Sequence, residues 1–498
     1  MQTQDNLPLD PNTEISLETV KERSVRGIVV LTGRTFFLQV LGFISLGFLG
    51  AFLTTSEWGI FGILNAVINF LNYFSDVGLA AALIQKKEHP TETDLRTTFL
   101  FQEVLVLIVI GVIVVFAPFL KQRLSLSTDG IVLLYALAFS FLLSSFKSIP
   151  SVLLERKLQF VRLTFPQILE QTIYYVVLVF FAVQGYGIKA FTIAVITRDV
   201  VGVIAMYIMQ PWKPGIAFSR KTLSGLFRFG IPYQVNTLLA ALKDDGKDIV
   251  VGIILGTTGF GYLSFVLRIA RIPLTFFMDT VTRVTFPAFS RMQNSKTDLE
   301  RSLTRSIFFI CFLVFPSLVG MIILAPVVFK VILFPRYMKW NPALFALALV
   351  SVNFAFAAAT TQLTNLLNAI GKIRITFYLM VMWTVLTWAL IPFLALKYGF
   401  NGAAAGYAIV GASSVIAIGI TKRYVNFSII NSTIKPLIGA LLMGVVLLVL
   451  RNILQPTMYL IGILVIVGGL VYGAIMISMV GVSLMEDAKK SFRTIFNR

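Results

Sequence analysis

Residues 457–481 read TMYLIGILVIVGGLVYGAIMISMVG and contain no charged side chain. An α-helix rises about 1.5 Å per residue, so roughly 20 apolar residues cross the hydrocarbon core of a bilayer. A run of this length and composition is typical of a transmembrane helix. The pattern recurs along the chain, where apolar runs of similar length alternate with short polar breaks.

The composition of the whole chain agrees with this pattern. Hydrophobic residues make up 57% of the 498 positions, charged residues only 13%, and the mean hydropathy is +0.86. In soluble domains about a quarter of the residues are charged. The period-two alternation of a membrane β-barrel strand does not occur in the sequence. The sequence therefore predicts an all-α polytopic membrane protein with about 14 transmembrane helices.

The predicted spans are 26–53, 58–85, 97–119, 130–149, 163–185, 189–211, 229–253, 259–289, 305–334, 342–370, 374–396, 402–421, 435–454 and 457–481. The seventh is the weakest, because the polar stretch LKDDGKD at 242–248 interrupts it.

An internal sequence match suggests a duplicated architecture. SEWGIFGILNAVINFLNYFSDVG, starting at Ser56, is similar to TGFGYLSFVLRIARIPLTFFMDTV, starting at Thr258, and the match aligns Gly59 with Gly261. Chance similarity between two apolar helices is the alternative. If the match is real, two pseudo-symmetric six-helix halves surround a central cavity, as in many transporters. The predicted segments are a cytoplasmic N-terminal segment (1–25), the first half (26–211), a cytoplasmic linker (212–228), the second half (229–424), two additional transmembrane helices (425–481) and a cytoplasmic basic tail (482–498).

The net charge of +19 follows membrane topology. Outside the spans, Lys and Arg concentrate in the N-terminal segment, the even-numbered connections and the C-terminal tail. Because positively charged loops stay in the cytoplasm, we expect both termini there, in a multi-pass protein of the cytoplasmic (inner) membrane. Contact with anionic membrane lipids explains the basic loops better than binding of nucleic acid does.

Several classes of function are disfavoured by what the chain lacks. Cys311 is the single cysteine and lies in an apolar run, and His89 is the single histidine and lies in a polar loop. A disulfide, a zinc site and histidine-based catalysis are therefore not expected. The polar N-terminal segment predicts no removable signal peptide. The short connections leave no room for a soluble catalytic domain, and we predict neither an enzyme nor a cofactor.

Basic residues inside the spans are the strongest indication of a binding site. On the eighth span, one helix face of about 120° carries Arg268, Arg271 and Arg283 together with a single acid, Asp279. A cation near the bilayer centre costs about 2.5–3.5 kcal/mol, so these side chains should face protein, water or a ligand. We predict that they bind an anionic substrate, with Arg34 of the first span as a further candidate.

Neutral polar stripes lie on two other spans. One stripe comprises Asn65, Asn69, Asn72 and Asp76 on the second span, and the other comprises Asn353, Thr361, Thr364 and Asn368 on the tenth. Amides and hydroxyls offer both donors and acceptors, which suits sugar hydroxyls. The alternative is that they hydrogen-bond neighbouring helices to each other, as polar residues in membrane proteins often do.

Intramembrane carboxylates are the candidates for binding a coupling H⁺ or Na⁺. The candidates are Asp76, Asp279, Asp248 and Glu170. Asp199 lies beside Arg198 and is better explained as a structural ion pair. In the stretch 242–248, salt bridges along the helix are one interpretation, and a helix break near Gly246 that exposes charges to a cavity is the other.

Two longer motifs carry a resemblance to a known family. The first is LTTSEWGIFGILNAVINF (53–70) followed by FSDVGLAAALIQKKE (74–88). The second is KDIVVGIILGTTGFGYLSFVLRIARIPLTFF (247–277) followed by VTFPAFSRMQNS (284–295), with weaker matches in LLNAIGK (366–372) and GFNGAAAGYAIV (399–410). With these motifs the chain resembles the polysaccharide transporter (Wzx-like) branch of the multidrug/oligosaccharidyl-lipid/polysaccharide flippase superfamily, over roughly residues 20–425.

The resemblance implies a function that composition alone does not indicate. Such a flippase moves undecaprenyl-diphosphate-linked oligosaccharide units to the outer leaflet by ion-coupled alternating access, and a polysaccharide polymerase is its expected partner. A flippase for peptidoglycan precursors and another exporter of the superfamily are the nearest alternatives. The arginine face argues against a drug/cation antiporter, which needs an acidic cavity. A membrane enzyme of polysaccharide assembly is a more distant alternative.

Cysteine labelling can test the predicted topology. In a variant that lacks Cys311, single cysteines at Lys157 and Ser224 should react from the cytoplasmic side, and cysteines at Gln122 and Lys339 from the opposite side. The basis is the concentration of positive charge in the even-numbered connections. If all four positions react from the same side, the predicted topology is wrong.

Overall fold

The computed structural model of the protein describes residues 17–76, 79–86, 88, 90–227, 241–293, 295–333 and 337–480. Within these ranges the chain is helical and forms no strand. The helices are α1 Leu17–Phe52, α2 Thr55–Asp76, α3 Leu79–Gln85, α4 Glu92–Arg123, α5 Thr128–Phe146, α6 Ser148–Arg156, α7 Phe160–Val183, α8 Ile188–Met209, α9 Lys247–Arg291, α10 Lys296–Ile332, α11 Ala343–Ala369, α12 Ile373–Ala412, α13 Val415–Lys422, α14 Ile429–Ile453 and α15 Met458–Val480.

The predicted all-α membrane architecture is confirmed. Eleven helical runs among the described residues are long and apolar enough to cross a membrane. The run Ile373–Lys422 contains the predicted eleventh and twelfth spans, and the run Leu242–Met278 overlaps the predicted seventh and eighth. The exact number of fourteen spans stays a prediction, and residues 228–240, which contain the predicted start of the seventh span, lie outside the described residues.

Two long helices contain breaks at glycine. Gly256 in α9 has φ 67° and Gly399 in α12 has φ 64°. Positive φ is unfavourable for residues that carry a Cβ atom, so glycine is the residue suited to these two positions. The break at Gly256 separates the predicted seventh and eighth spans, and the break at Gly399 separates the eleventh and twelfth. The polar stretch at 242–248 instead forms a π-helical turn, Leu242–Gly246, that continues directly into α9.

The chain divides into two compact units, Met1–Gly261 and Tyr262–Arg498. In the first unit α7 packs along α8, α1 packs on α7, and α5 packs on α8. In the second unit α10 packs along α14, and α11 packs along α12. A core cluster in the second unit surrounds the buried Cys311 and includes Phe315 of α10, Met443 of α14 and Tyr472 of α15. The two helices predicted to be additional, α14 and α15, are therefore packed into the second unit.

A close crossing of backbones joins α2 to the start of α9 within the first unit. A Cβ atom on Gly59 would overlap the carbonyl oxygen of Thr257, and one on Gly261 would overlap the carbonyl oxygen of Thr55. The hydroxyls of Ser56 and Thr257 lie 2.8 Å apart at the same crossing. The contact is reciprocal and pairs the two glycines that the internal sequence match aligns. Small residues allow such close approach of membrane helices.

Substitution of Gly59 should disturb this crossing. In Gly59→Ala the new methyl group would overlap backbone atoms, which cannot move as a side chain can. We expect a loss of about 1–3 kcal/mol in stability, seen as a lower midpoint of thermal unfolding in detergent. Gly111→Ala in α4 is the matched control, because nothing lies within 4 Å of its added Cβ. Equal midpoints for the two variants would contradict the close crossing.

Candidate functional site

A group of four charged side chains, which we call the ion-pair network, lies between α5, α7 and α8. Lys147 Nζ lies 2.7 Å from Glu170 Oε2 and 3.4 Å from Asp199 Oδ1. Arg198 Nη2 donates to Asp199 Oδ2 at 2.7 Å, and Ser140 Oγ also donates to Asp199. The Asp199 side chain is only 2% exposed. Two cations and two carboxylates thus meet inside the first unit.

The charges of this network balance, which makes their burial tolerable. An isolated buried ion pays a large desolvation penalty, whereas a paired and hydrogen-bonded ion recovers much of it. The predicted Arg198–Asp199 pair is confirmed. The guanidinium of Arg198 also lies over the Tyr174 ring, 5.4 Å from its centroid. Glu170, a candidate for the coupling ion, already has Lys147 as its counterion.

Glu103 of α4 is an intramembrane carboxylate that the sequence analysis missed. Its Oε1 accepts a hydrogen bond from Ser145 Oγ at 2.7 Å. No salt bridge to Glu103 occurs among the described residues. The signal was present, since Glu103 is an acid inside an apolar run, and such residues are functional candidates by default.

A second charged cluster lies where the π-helical turn approaches α2. Asp245 accepts a hydrogen bond from Asn69. Lys247 pairs with Asp248 at 2.9 Å, and the Lys247 side chain is 7% exposed. Lys243 lies 3.7 Å from Asp244. The ion pairs therefore join sequence neighbours, and the helix widens at this point instead of breaking. Widened turns of this kind are frequent at functional sites.

Asn69 and Asn72 of the α2 stripe are exposed, and Asn65 is half-buried. Asn69 is tied to the charged cluster by its hydrogen bond to Asp245. The side chain of Asp76 lies outside what the structure describes. The α2 stripe therefore keeps exposed amide groups, as a polar binding surface would.

The arginine face of α9 is described in part. The side chains of Arg268 and Arg271 are exposed, while those of Asp279 and Arg283 lie outside what the structure describes. Arg271 forms no salt bridge among the described residues. In the first unit, Arg34 of α1 is half-buried and its Nε atom has no hydrogen-bond partner. Among the described residues, Arg271 differs in this respect from Lys147 and Arg198, whose charges are balanced.

The α11 stripe is largely occupied by contacts between helices. Asn353 Nδ2 donates to the Tyr407 carbonyl at 2.8 Å, and Asn368 Oδ1 accepts from Thr376 at 2.7 Å. Further along α11, Gln362 contacts Thr285 at 3.0 Å, and Asn365 contacts Thr282 at 3.2 Å. These bonds tie α11 to α9 and α12. For Asn353 and Asn368, the contacts favour the interhelical alternative over direct substrate binding.

The fold and the site define an integral membrane protein of the transporter class, with balanced buried charges and an exposed arginine face. The model of the polysaccharide biosynthesis protein family matches residues 48–344, more than half of the chain. The chain belongs to that family.

Three relatives extend the similarity over most of the chain. The lipopolysaccharide biosynthesis protein WzxC of Escherichia coli is 22% identical over 440 residues, covering 85% of this chain and 83% of WzxC. The succinoglycan biosynthesis transport protein ExoT of Rhizobium meliloti is 22% identical, with 87% and 86% coverage. The teichuronic acid biosynthesis protein TuaB of Bacillus subtilis is 23% identical, with 69% and 71% coverage.

Solved structures share the fold. The lipid II flippase MurJ in its inward closed conformation superposes with a TM-score of 0.74 at 16% identity, covering 91% of this chain and 98% of MurJ. An inward-facing multidrug resistance MATE family transporter of the MOP superfamily gives a TM-score of 0.60 at 16% identity, with 80% and 98% coverage. At 16% identity these likenesses show the fold alone, and the family that the sequence motifs suggested is confirmed by the family model.

Replacing Asp199 should destabilise the first unit. Asp199→Asn removes a carboxylate that faces Arg198 and Lys147, and the uncompensated buried charge should cost about 3–5 kcal/mol. The expected result is a large drop in the midpoint of thermal unfolding. Asp129→Asn is the matched control, because Asp129 and Lys189 form an exposed pair at 3.6 Å. Such a pair contributes about 0–1 kcal/mol. Equal effects of the two substitutions would rule out a structural role for the network.

Proposed function

We propose that this protein is a flippase that moves undecaprenyl-diphosphate-linked oligosaccharide repeat units from the cytoplasmic to the outer leaflet of the cytoplasmic membrane. Family membership supports the proposal, and so do the names of its relatives, which refer to lipopolysaccharide, succinoglycan and teichuronic acid biosynthesis. ExoT is itself named a transport protein. The units become precursors of O-antigen, capsule or exopolysaccharide.

The observation that carries the proposal is the exposed arginine face of α9. Arg271 has no acidic partner among the described residues, although it lies in a helical run apolar enough to cross a membrane. A phosphate-bearing substrate supplies the missing negative charge. Guanidinium groups match phosphate oxygens with paired hydrogen bonds, and they are less strongly hydrated than ammonium groups. Arg268, Arg271, Arg283 and Arg34 are the proposed contacts to the diphosphate or to acidic sugars.

The amides of α2 are the proposed contacts to sugar. Asn69 and Asn72 are exposed, and Asn65 is half-buried on the same helix. Amide groups match sugar hydroxyls as both donors and acceptors. Asn353 and Asn368 are weaker candidates, because their amides already bond within the second unit.

Coupling to H⁺ or Na⁺ belongs to the same proposal. Among the candidates, Glu170 and Asp248 are already paired with lysines. Asp76 and Asp279, whose side chains lie outside what the structure describes, stay proposed coupling sites, with Glu103 as an additional candidate. Gradient-driven flipping that is unchanged in Asp76→Asn and Asp279→Asn would exclude those two carboxylates.

We further propose that both termini lie in the cytoplasm and that the flippase delivers its substrate to a polysaccharide polymerase. The charge distribution supports the orientation. A peptidoglycan-precursor lipid is the nearest alternative substrate, because it offers the same diphosphate. The names of the relatives favour surface polysaccharide over that alternative.

Flipping in proteoliposomes tests the proposal. A fluorescent undecaprenyl-diphosphate oligosaccharide should move between leaflets with the wild-type protein, as followed by its exposure to an impermeant glycosidase. Arg271→Gln should reduce the rate about tenfold or more, because it removes charge-assisted hydrogen bonds to phosphate. Arg271→Lys should restore part of the rate, since lysine keeps the charge without the paired donors.

Lys330→Gln is the matched control, since it removes an exposed cation from the last turn of α10. Its flipping rate should stay at the wild-type level, and the thermal midpoints of all three variants should match the wild type. An inactive wild-type protein would overturn the proposed function. A fully active Arg271→Gln would overturn only the assignment of the arginine face.

A further inference from the structure

The segment between α8 and the helical residues 220–227 exposes two large apolar side chains. Residues 211–219 have no regular secondary structure. Ile216 is 86% exposed and Phe218 is 70% exposed, whereas the side chains between and beside them are partly buried. Over residues 215–219, exposed positions alternate with partly buried ones. Ile216 and Phe218 therefore project together, away from the first unit.

Contacts at both ends hold the segment in place. Trp212 is 8% exposed and packs edge-on against Phe99, with ring centroids 5.2 Å apart. Thr222 Oγ1 donates to Asp94 Oδ1 at 2.7 Å. Between them, Gly215 lies so close to the Arg96 side chain that an added Cβ would come within 2.9 Å of Nε. The backbone that carries the exposed pair is therefore fixed by contacts on both sides of it.

The surroundings of the pair are basic. Lys213, Arg220 and Lys221 are all exposed. The segment follows directly on α8, whose helical run is long and apolar enough to cross a membrane. Its backbone is not helical, so the segment cannot lie in the hydrocarbon core, where every peptide group needs a partner. The level of the lipid headgroups is where exposed apolar side chains and flanking cations are both stable.

We propose that residues 213–221 form a membrane-surface anchor. Lys213, Arg220 and Lys221 bind the headgroups of anionic phospholipids, and Ile216 and Phe218 insert between the outer parts of the acyl chains. The partner is a lipid surface, because the apolar pair and the cations lie together on a segment that begins where α8 ends. The anchor does not depend on what the protein transports.

Spin labels measure the depth of the anchor in the full-length protein in nanodiscs. In a Cys311→Ala background, labels are placed by Ile216→Cys and Phe218→Cys. Ser224→Cys is the control, since Ser224 is exposed in the following helical stretch. In discs containing phosphatidylglycerol, labels at 216 and 218 should collide with oxygen and be shielded from a water-soluble nickel chelate. The label at 224 should show the opposite preference.

A charge-neutralised variant tests the role of the headgroups. With Lys213, Arg220 and Lys221 all replaced by Gln, the insertion equilibrium of the label at 218 should weaken by roughly fivefold per charge. Discs of phosphatidylcholine alone should have a similar effect on the unaltered protein. Insertion that is equal in both lipids would overturn the role of anionic headgroups. Labels at 216 and 218 that stay as accessible to nickel as the label at 224 would overturn the anchor and indicate a protein partner for the pair.

Discussion

Hydrocarbon cannot solvate a charge, and most features of this protein follow from that constraint. Each charged side chain inside an apolar helix must find a counterion, reach the interface, or meet a ligand. Counterions balance the charges of the ion-pair network, which consists of Lys147, Arg198, Glu170 and Asp199 inside the first unit. Arg271 forms no salt bridge within the described part of the chain. The contrast between balanced and unbalanced charge separates side chains that stabilise the fold from the side chain of Arg271, which we propose contacts a substrate.

Hydrogen bonds also show which neutral polar residues join one helix to another. On α11, amides that could face a sugar instead tie helices together, as Asn353 does with the Tyr407 carbonyl. On α2, Asn69 is exposed and also donates to Asp245 of the neighbouring helical turn. A polar stripe in a sequence cannot distinguish these cases, because both place the same residue types on one helix face. Only the position of the neighbouring helix decides between them.

The sequence predicted the architecture well because its main signal, long apolar runs, depends on bilayer thickness and not on tertiary contacts. It also located the Arg198–Asp199 pair and the two glycines of the α2 crossing. It missed the partnership of Lys147 with Glu170, since these residues, 23 positions apart, meet only when the junction of α5 and α6 lies against α7. It left two interpretations of 242–248 open, and the structure favours salt bridges along a continuous helical turn over a break near Gly246. The polar residues of this stretch pair with one another and with Asn69 of α2, while the backbone stays helical.

The Gly59–Gly261 crossing brings two backbones into direct contact at the glycines, beside the hydroxyl contact of Ser56 with Thr257. A contact built from side chains must freeze rotamers when it forms, and it must unlock them when the helices turn relative to each other. Bare backbones have no rotamers to freeze. The glycine contact therefore forms at little cost in side-chain entropy, and it keeps the two helices closer than any larger residue at either position would allow.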